Sequence, residues 1–107
     1  MANKITDRTA DPDACETMAE VRDGVDATDR AIVALLARRF GYMEAAARIK
    51  PTRESVRDEA RKARVIDAAK AQAAAAGVPV PLVAALWEML VETSIDYEMA
   101  RFDAIRG

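Results

Sequence analysis

Residues 13–49, DACETMAEVRDGVDATDRAIVALLARRFGYMEAAARI, contain no proline and only two isolated glycines, Gly24 and Gly41. A mostly apolar seam recurs along them at alternating spacings of four and three, as on one face of an α-helix. The seam consists of Val21, Val25, Thr28, Ile32, Leu35, Arg39, Tyr42, Ala46 and Ile49. The pattern predicts one helix of about 55 Å at ~1.5 Å per residue, whereas a small domain is only ~30 Å across. We therefore expect a second copy of the chain to cover part of it.

Pro51 closes this helix, because proline lacks a backbone N–H and drives the preceding residue out of the α region. After a short loop, Ser55 and Asp58 resemble a capping pair. A second helix is therefore predicted over about residues 56–76, with Gly77 as its C-terminal stop.

Pro81 suits the first turn of a third helix, which is predicted to run to about residue 104. The composition agrees, because 51% of the 107 residues are hydrophobic, many of them alanine, with only 4 Gly and 4 Pro. The sequence therefore predicts an all-α fold. A three-helix protomer with one very long N-terminal helix would pair into an intertwined helical homodimer.

Charge and composition exclude several classes of function. With 16 basic and 18 acidic side chains, no net field attracts nucleic acid or an anionic membrane. Cys15 is the only cysteine and histidine is absent, so an internal disulfide and the usual zinc sites are excluded. No stretch approaches the ~20 apolar residues that span a bilayer. We expect a cytoplasmic domain over residues 13–107, preceded by a flexible arm over residues 1–12.

Two cations interrupt the apolar faces of the first helix. Arg39 lies on the seam, and Lys50 ends a neighbouring stripe that contains Phe40 and Ala47. A spacing of eleven residues is three turns, so the two side chains point within ~20° of each other and start ~16 Å apart. They can converge on one small ligand. Alternatively, Arg39 pairs with a buried carboxylate and Lys50 extends to solvent at the helix end.

The third helix has the complementary feature, because Ser94 and Glu98 interrupt its apolar stripe one turn apart. A buried glutamate is costly unless it is paired or neutral. These residues either line a pocket, or Glu98 pairs with Arg39 while Ser94 bonds its own helix backbone. The second helix starts with a charged cluster that either faces solvent or joins the pocket: Arg57, Asp58, Arg61, Lys62 and Arg64. Together these residues suggest a cationic, mostly dry pocket for a small dicarboxylate.

Several segments of the sequence resemble those of a known protein family. VR at 21–22, DATDRAIVALLARR at 26–39 and AARIK at 46–50 are similar to the first helix of the all-α chorismate mutases and of the related isochorismate pyruvate lyases. VRD at 56–58 with Arg61 resembles the mutases' loop and second-helix motif, and LVETSI at 90–95 through to Glu98 fits their final helix. The resemblance covers about residues 15–104.

The resemblance implies a dimer with two active sites, each completed by Arg22 of the partner subunit. Arg22 lies 17 residues before Arg39, ~25 Å along the helix, too far for one ligand to touch both in one chain. By the same matching, these two arginines hold the substrate carboxylates. Lys50 contacts a carboxylate and the ether oxygen, Asp58 places the ring hydroxyl through its backbone, and Ser94 supports a carboxylate.

The sequence departs from the family's pattern at two positions. Lys62 falls where the family has a glutamate that holds the ring hydroxyl, which reverses the charge there, although Glu59 lies one turn earlier. Glu98 stands where many mutases and the lyases carry glutamine. Arg61 and Lys62 are still expected to contact the substrate, and the departures bear on substrate identity and pH range.

The function that the resemblance implies is conversion of chorismate to prephenate in aromatic amino acid biosynthesis, an isomerase reaction without metal or cofactor. Arginine clamps would hold the reactive geometry, and Lys50 and protonated Glu98 would donate to the ether oxygen. The first alternative is an isochorismate pyruvate lyase that forms salicylate and pyruvate. The motif at 56–58 with Arg61 favours the mutase, because it resembles the mutases better than the lyases. The second is a non-catalytic partner that regulates another enzyme of the aromatic pathway.

Overall fold

The computed structural model describes residues 9–107, which form three α-helices and two short 3-10 turns without any strand. The helices are α1, Met18–Ile49; α2, Glu59–Ala76; and α3, Val80–Arg106. The all-α prediction with a very long first helix is confirmed. The chain divides into two compact units, one up to Phe40 and one from Gly41 onward. Most of the arm predicted at residues 1–12 lies outside the described residues.

The first helix begins at Met18, five residues after the start of the proline-free stretch over which it was predicted. Thr17 is the N-cap of this helix, because its Oγ1 accepts from the backbone N–H of Glu20 at 3.2 Å. The Glu20 carboxylate in turn accepts from the N–H groups of Glu16 and Thr17 at 2.8 and 3.1 Å. This reciprocal pair is a capping box, and its T-x-x-E signature is present in the sequence. The two backbone bonds lower the pKa of Glu20, with that from Glu16 the larger cause.

The second helix begins at Glu59 rather than near residue 56. Asp58 is its N-cap, and the Oδ1 atom accepts from Arg61 N at 3.0 Å. Ser55 instead closes the preceding 3-10 turn, Arg53–Ser55, by donating to Thr52 O at 2.6 Å. The predicted stop at Gly77 is confirmed, since this glycine has φ of +76° and Val78 N donates back to Ala73 O.

In the first unit, the segment before α1 lies beside the helix. Pro12–Ala14 forms a 3-10 turn, and the carbonyl oxygen of Ala10 would lie 3.9 Å from a Cβ placed on Gly24. A cavity of about 380 Å³ separates this segment from the first turns of α1, with Pro12, Cys15 and Val25 among its walls. A Cβ at Gly24 would thus be in ordinary van der Waals contact with the segment, and the packing does not depend on a glycine there.

The second unit contains the end of α1, the Arg53–Ser55 turn, α2 and α3. Its larger core cluster contains Ala47, Val56, Val91, Ile95 and Phe102. A smaller cluster joins Ala69 and Ala73 of α2 to Val83 of α3, and Trp87 packs against both clusters. The alanine-rich part of α2 thus supplies small residues against which α3 packs closely. Within residues 9–107, no helix is both long and apolar enough to cross a membrane.

The capping box predicts a specific stability effect. Thr17→Ala removes the side-chain acceptor for Glu20 N, and an N-cap of this kind contributes ~1 kcal/mol. We expect the free energy of unfolding, measured with denaturant at fixed protein concentration, to fall by about that amount. Thr52→Ala is the matched control, because Thr52 precedes the Arg53–Ser55 turn without a side-chain cap bond. Equal losses in the two variants would contradict the capping role.

Candidate functional site

The second unit contains a cation and a carboxyl group in contact beside its core. Lys50 Nζ lies 2.7 Å from Glu98 Oε2, and the Glu98 side chain is only 5% exposed, against 30% for Lys50. The ammonium donates its directed hydrogen bond to Val56 O at 3.3 Å. Its contact with Oε2 is one of charge, and that buried oxygen accepts no well-directed hydrogen bond from the described residues. The Lys50 ammonium and Glu98 Oε2 thus lie next to each other, and each can still take part in a further hydrogen bond.

Three elements build this pair. Lys50 follows the last residue of α1, where Pro51 prevents further helix. Val56 lies just after the Arg53–Ser55 turn and is buried in the larger core cluster. Glu98 lies on α3, and its neighbours one turn away in the sequence, Ile95 and Phe102, belong to the same core cluster. The sequence suggested Arg39 as the cation that pairs with a buried Glu98, whereas in the structure Lys50 contacts this carboxyl group.

Ser94 is buried one turn before Glu98 on α3. Its hydroxyl donates to Leu90 O at 2.7 Å, as the backbone-bonding interpretation of this residue predicted. The hydroxyl can donate to another acceptor only after it rotates away from Leu90 O.

A second charged group joins α2 to α3. Lys62 Nζ lies 2.8 Å from Glu88 and 2.7 Å from Glu92, and Arg57 donates to both oxygens of Glu92 at 2.8 and 3.1 Å. Arg57 also contacts Glu59 at 2.9 Å. Arg57 first, and then Lys62, hold the pKa of Glu92 at about 2. Glu88 first, and then Glu92, raise the pKa of Lys62.

This network shows which groups balance the positive charge of Lys62. Its charge is matched by carboxylates of α3, and Glu59, which the sequence offered as compensation, is bound to Arg57. Glu92 and Glu98 are six residues apart, which turns them about 120° from each other on α3. The Lys62–Glu92 contact and the Lys50–Glu98 pair therefore lie on different faces of α3. Sequence reasoning missed Glu88 and Glu92, although their spacing of four marks one face of α3.

The other predicted site residues are placed as follows. Asp58 caps α2 and its carbonyl oxygen accepts from Lys62 N at 2.9 Å, while Arg61 is exposed in the first turn of α2. Arg22 and Arg39 belong to the first unit, where Arg22 is exposed and Arg39 is half-buried. No group of three or more Cys, Asp or Glu side chains within residues 9–107 could hold a metal ion.

A third polar group fastens the end of α1 to α3. Glu44 accepts from the Tyr97 hydroxyl and from Arg101 Nε, the latter at 3.0 Å. The bond from Tyr97 is the largest cause that lowers the pKa of Glu44, and the same bond raises the pKa of Tyr97. None of these three residues was predicted from the sequence to be functional. The four-residue spacing of Tyr97 and Arg101 is the only signal the sequence offers for them.

Comparison with known proteins connects this geometry to a family. The chain is similar to a protein named isochorismate pyruvate lyase from Pseudomonas aeruginosa, with 27% identity over 96 residues that cover 90% of this chain and 95% of that protein. The sequence model of the family described as chorismate mutase type II matches residues 21–99. That range covers part of each unit and all the site residues predicted from the sequence, from Arg22 to Glu98, and the chain belongs to the chorismate mutase type II family.

Proposed function

We propose that the protein is a chorismate mutase, an isomerase that rearranges chorismate to prephenate in aromatic amino acid biosynthesis. The observation that carries this proposal is the Lys50–Glu98 pair, at 2.7 Å and beside an apolar core. The reaction breaks an ether bond within one molecule, and negative charge grows on the ether oxygen as it does so. Donors held in place before the reaction stabilise that charge.

Each proposed residue has a role that follows from its chemistry. Lys50 donates from its ammonium to the ether oxygen and to a substrate carboxylate, and protonated Glu98 is the second donor to the ether oxygen. In the structure the two side chains face each other as an ion pair. Because only a protonated carboxyl group can donate a hydrogen bond, this role requires the neutral form of Glu98.

The carboxylates of the substrate need further cations. We propose that Arg39 binds one carboxylate and that Arg22 of the partner subunit binds the other, since guanidinium groups suit carboxylates. Ser94 supports a carboxylate, and Asp58 and Arg61 contact the substrate at the start of α2. Lys62, held by Glu88 and Glu92, offers the ring hydroxyl both a donor and neighbouring acceptors.

The exposed seam of α1 supports a homodimer. Leu35 is 65% exposed and Ile49 is 75% exposed in the single chain. Further apolar side chains of the same seam are also exposed to solvent. These include Val25, Ile32 and Tyr42. Isolated exposed apolar residues are common, but a stripe along one helix marks a contact surface. We propose that a second copy covers this stripe and contributes its Arg22 to the site.

The second candidate function is that of an isochorismate pyruvate lyase, and the 27% identity to a protein of that name supports it. That elimination forms salicylate and pyruvate. Its substrate is also a dicarboxylate with an enolpyruvyl ether, so the same arginines and lysine would serve. The third possibility is a non-catalytic protein that regulates another enzyme of the pathway.

Product analysis separates these functions. We expect purified protein to form prephenate from chorismate, and little salicylate or pyruvate from isochorismate. Lys50→Ala is expected to remove nearly all turnover, since a lost charge contact in a dry site costs several kcal/mol, on the order of a hundredfold or more. Lys70→Ala is the control, because this lysine is exposed on α2. Preferential salicylate formation would establish the lyase, and no conversion of either compound would favour the regulatory protein.

Subunit mixing tests the shared site. Arg22→Ala and Arg39→Ala should each be nearly inactive, and co-refolding them in equal amounts should restore about a quarter of the parent activity. Half of the dimers are then mixed, and each mixed dimer has one intact site. As a control, co-refolding the parent with the Arg22→Ala/Arg39→Ala double variant should leave about a quarter, because mixed dimers lose both sites. Half of the activity in the control and none in the first mixture would mean that each site uses one chain.

The pH dependence tests Glu98. An ionised carboxylate beside the ether oxygen repels the developing charge, so kcat/KM should fall as rising pH ionises Glu98. Glu98→Gln keeps the shape and supplies a donor that does not titrate. We expect this variant to show a flatter profile between about pH 4 and pH 9 and to retain activity at the alkaline end. A variant profile that falls like that of the parent would exclude Glu98 as the titrating donor.

A further inference from the structure

The last turn of α1 lacks one of its own hydrogen-bond donors. In an α-helix the carbonyl of each residue accepts from the N–H four residues later, and Lys50 N donates to Ala46 O in this way at 2.9 Å. The next carbonyl, Ala47 O, would accept from residue 51. That residue is a proline, which has no N–H. Ala47 is 0% exposed, so its carbonyl needs a donor from within the protein.

Arg106, the last residue of α3, supplies that donor. Its Nη1 donates to Ala47 O and its Nη2 donates to Lys50 O, both at 2.8 Å. The guanidinium carbon lies 3.8 Å from the centre of the Phe102 ring, which is itself buried. The guanidinium plane is therefore held by two carbonyls and an aromatic face. A cation at this point also meets the negative end of the α1 dipole.

One stripe of α3 thus contacts Lys50 at both ends. Glu98, Phe102 and Arg106 follow one another at intervals of four, which places them on one face of the helix. Glu98 contacts the ammonium at 2.7 Å, whereas Arg106 binds the backbone carbonyl of the same lysine. The backbone and the ammonium of Lys50 are therefore both held by one rigid helix, α3.

We propose that Arg106 is a positioning residue for Lys50. By binding the carbonyls of Ala47 and Lys50, it fixes the point at which the lysine leaves α1 and hence the position of its ammonium. This inference rests on the proposed role of Lys50 in donating to the breaking ether bond. Such donation depends steeply on position, and a displacement of ~1 Å can cost up to about a hundredfold in rate.

The test compares two arginines of α3 that bind the end of α1. Arg106→Ala removes the contacts to the Lys50 backbone, whereas Arg101→Ala removes a contact to Glu44 that does not involve Lys50. We expect Arg106→Ala to lower kcat by roughly ten- to a hundredfold with a small change in KM, and Arg101→Ala to change kcat by less than about threefold. Thermal unfolding and circular dichroism of both variants measure any general loss of structure.

Arg106→Lys covers the case in which the alanine variant does not fold. It keeps the charge but replaces the planar fork with a single ammonium, so we expect a kcat between those of the parent and the alanine variant. The proposal is overturned if either folded Arg106 variant keeps the parent kcat, or if Arg101→Ala loses as much kcat as Arg106→Ala at equal thermal stability.

A readout that needs no turnover separates this inference from the proposed function. In ¹H–¹⁵N spectra, the amide signals of residues 49, 50 and 52–56 should shift in the Arg106 variants and stay close to the parent in Arg101→Ala. If the parent converts neither chorismate nor isochorismate, the proposed function fails while these shifts still report whether Arg106 sets the Lys50 backbone. Unchanged amide signals in the Arg106 variants would overturn the positioning role by themselves.

Discussion

Lys50 and Glu98 impose the tightest constraint on the second unit, because a carboxyl group buried beside Ile95 and Phe102 is unfavourable unless a cation accompanies it. The cation comes from the end of α1, so α1 must end where it does and α3 must keep the register that brings Glu98 there. The buried Ala47 carries no side chain beyond Cβ, which lets the two helices approach closely. The polar contacts of Glu44 with Tyr97 and Arg101 hold the same two helices one or two turns away. Packing, helix length and the candidate chemistry therefore share one requirement.

The helices could be predicted largely because their signals are local. Apolar periodicity, Pro51 and Gly77 are read within a few residues, and they gave three helices of the right type. The boundaries were less accurate where two local signals competed. The absence of proline extended the predicted α1 back to residue 13, whereas the hydrogen bonds between Thr17 and Glu20 decide its start. At α2, a serine and an aspartate one turn apart both suited a cap, and only Asp58 accepts from the helix.

The residues that interrupt the apolar patterns could be identified from the sequence, but the contacts between them could not. A buried glutamate and a lysine at a helix end could be found because they break an apolar pattern. Their pairing across 48 positions of sequence could not be deduced, because it depends on how α1 and α3 pack. The network of Arg57, Lys62 and Glu92 shows the same limit. Periodicity indicates which residues share a face, whereas the partner on another helix follows only from tertiary structure.

The Thr17 and Glu20 cap has a consequence for the acid side of the working range. The pKa of Glu20 is lowered in the folded chain, so the stabilisation it gives is present above the unfolded pKa and is lost as pH falls through the folded value. Arg22, the residue proposed to reach the neighbouring subunit, lies only two positions further along the same helix. In strong acid the start of α1, and with it the turn that carries Arg22, therefore loses part of its stabilisation.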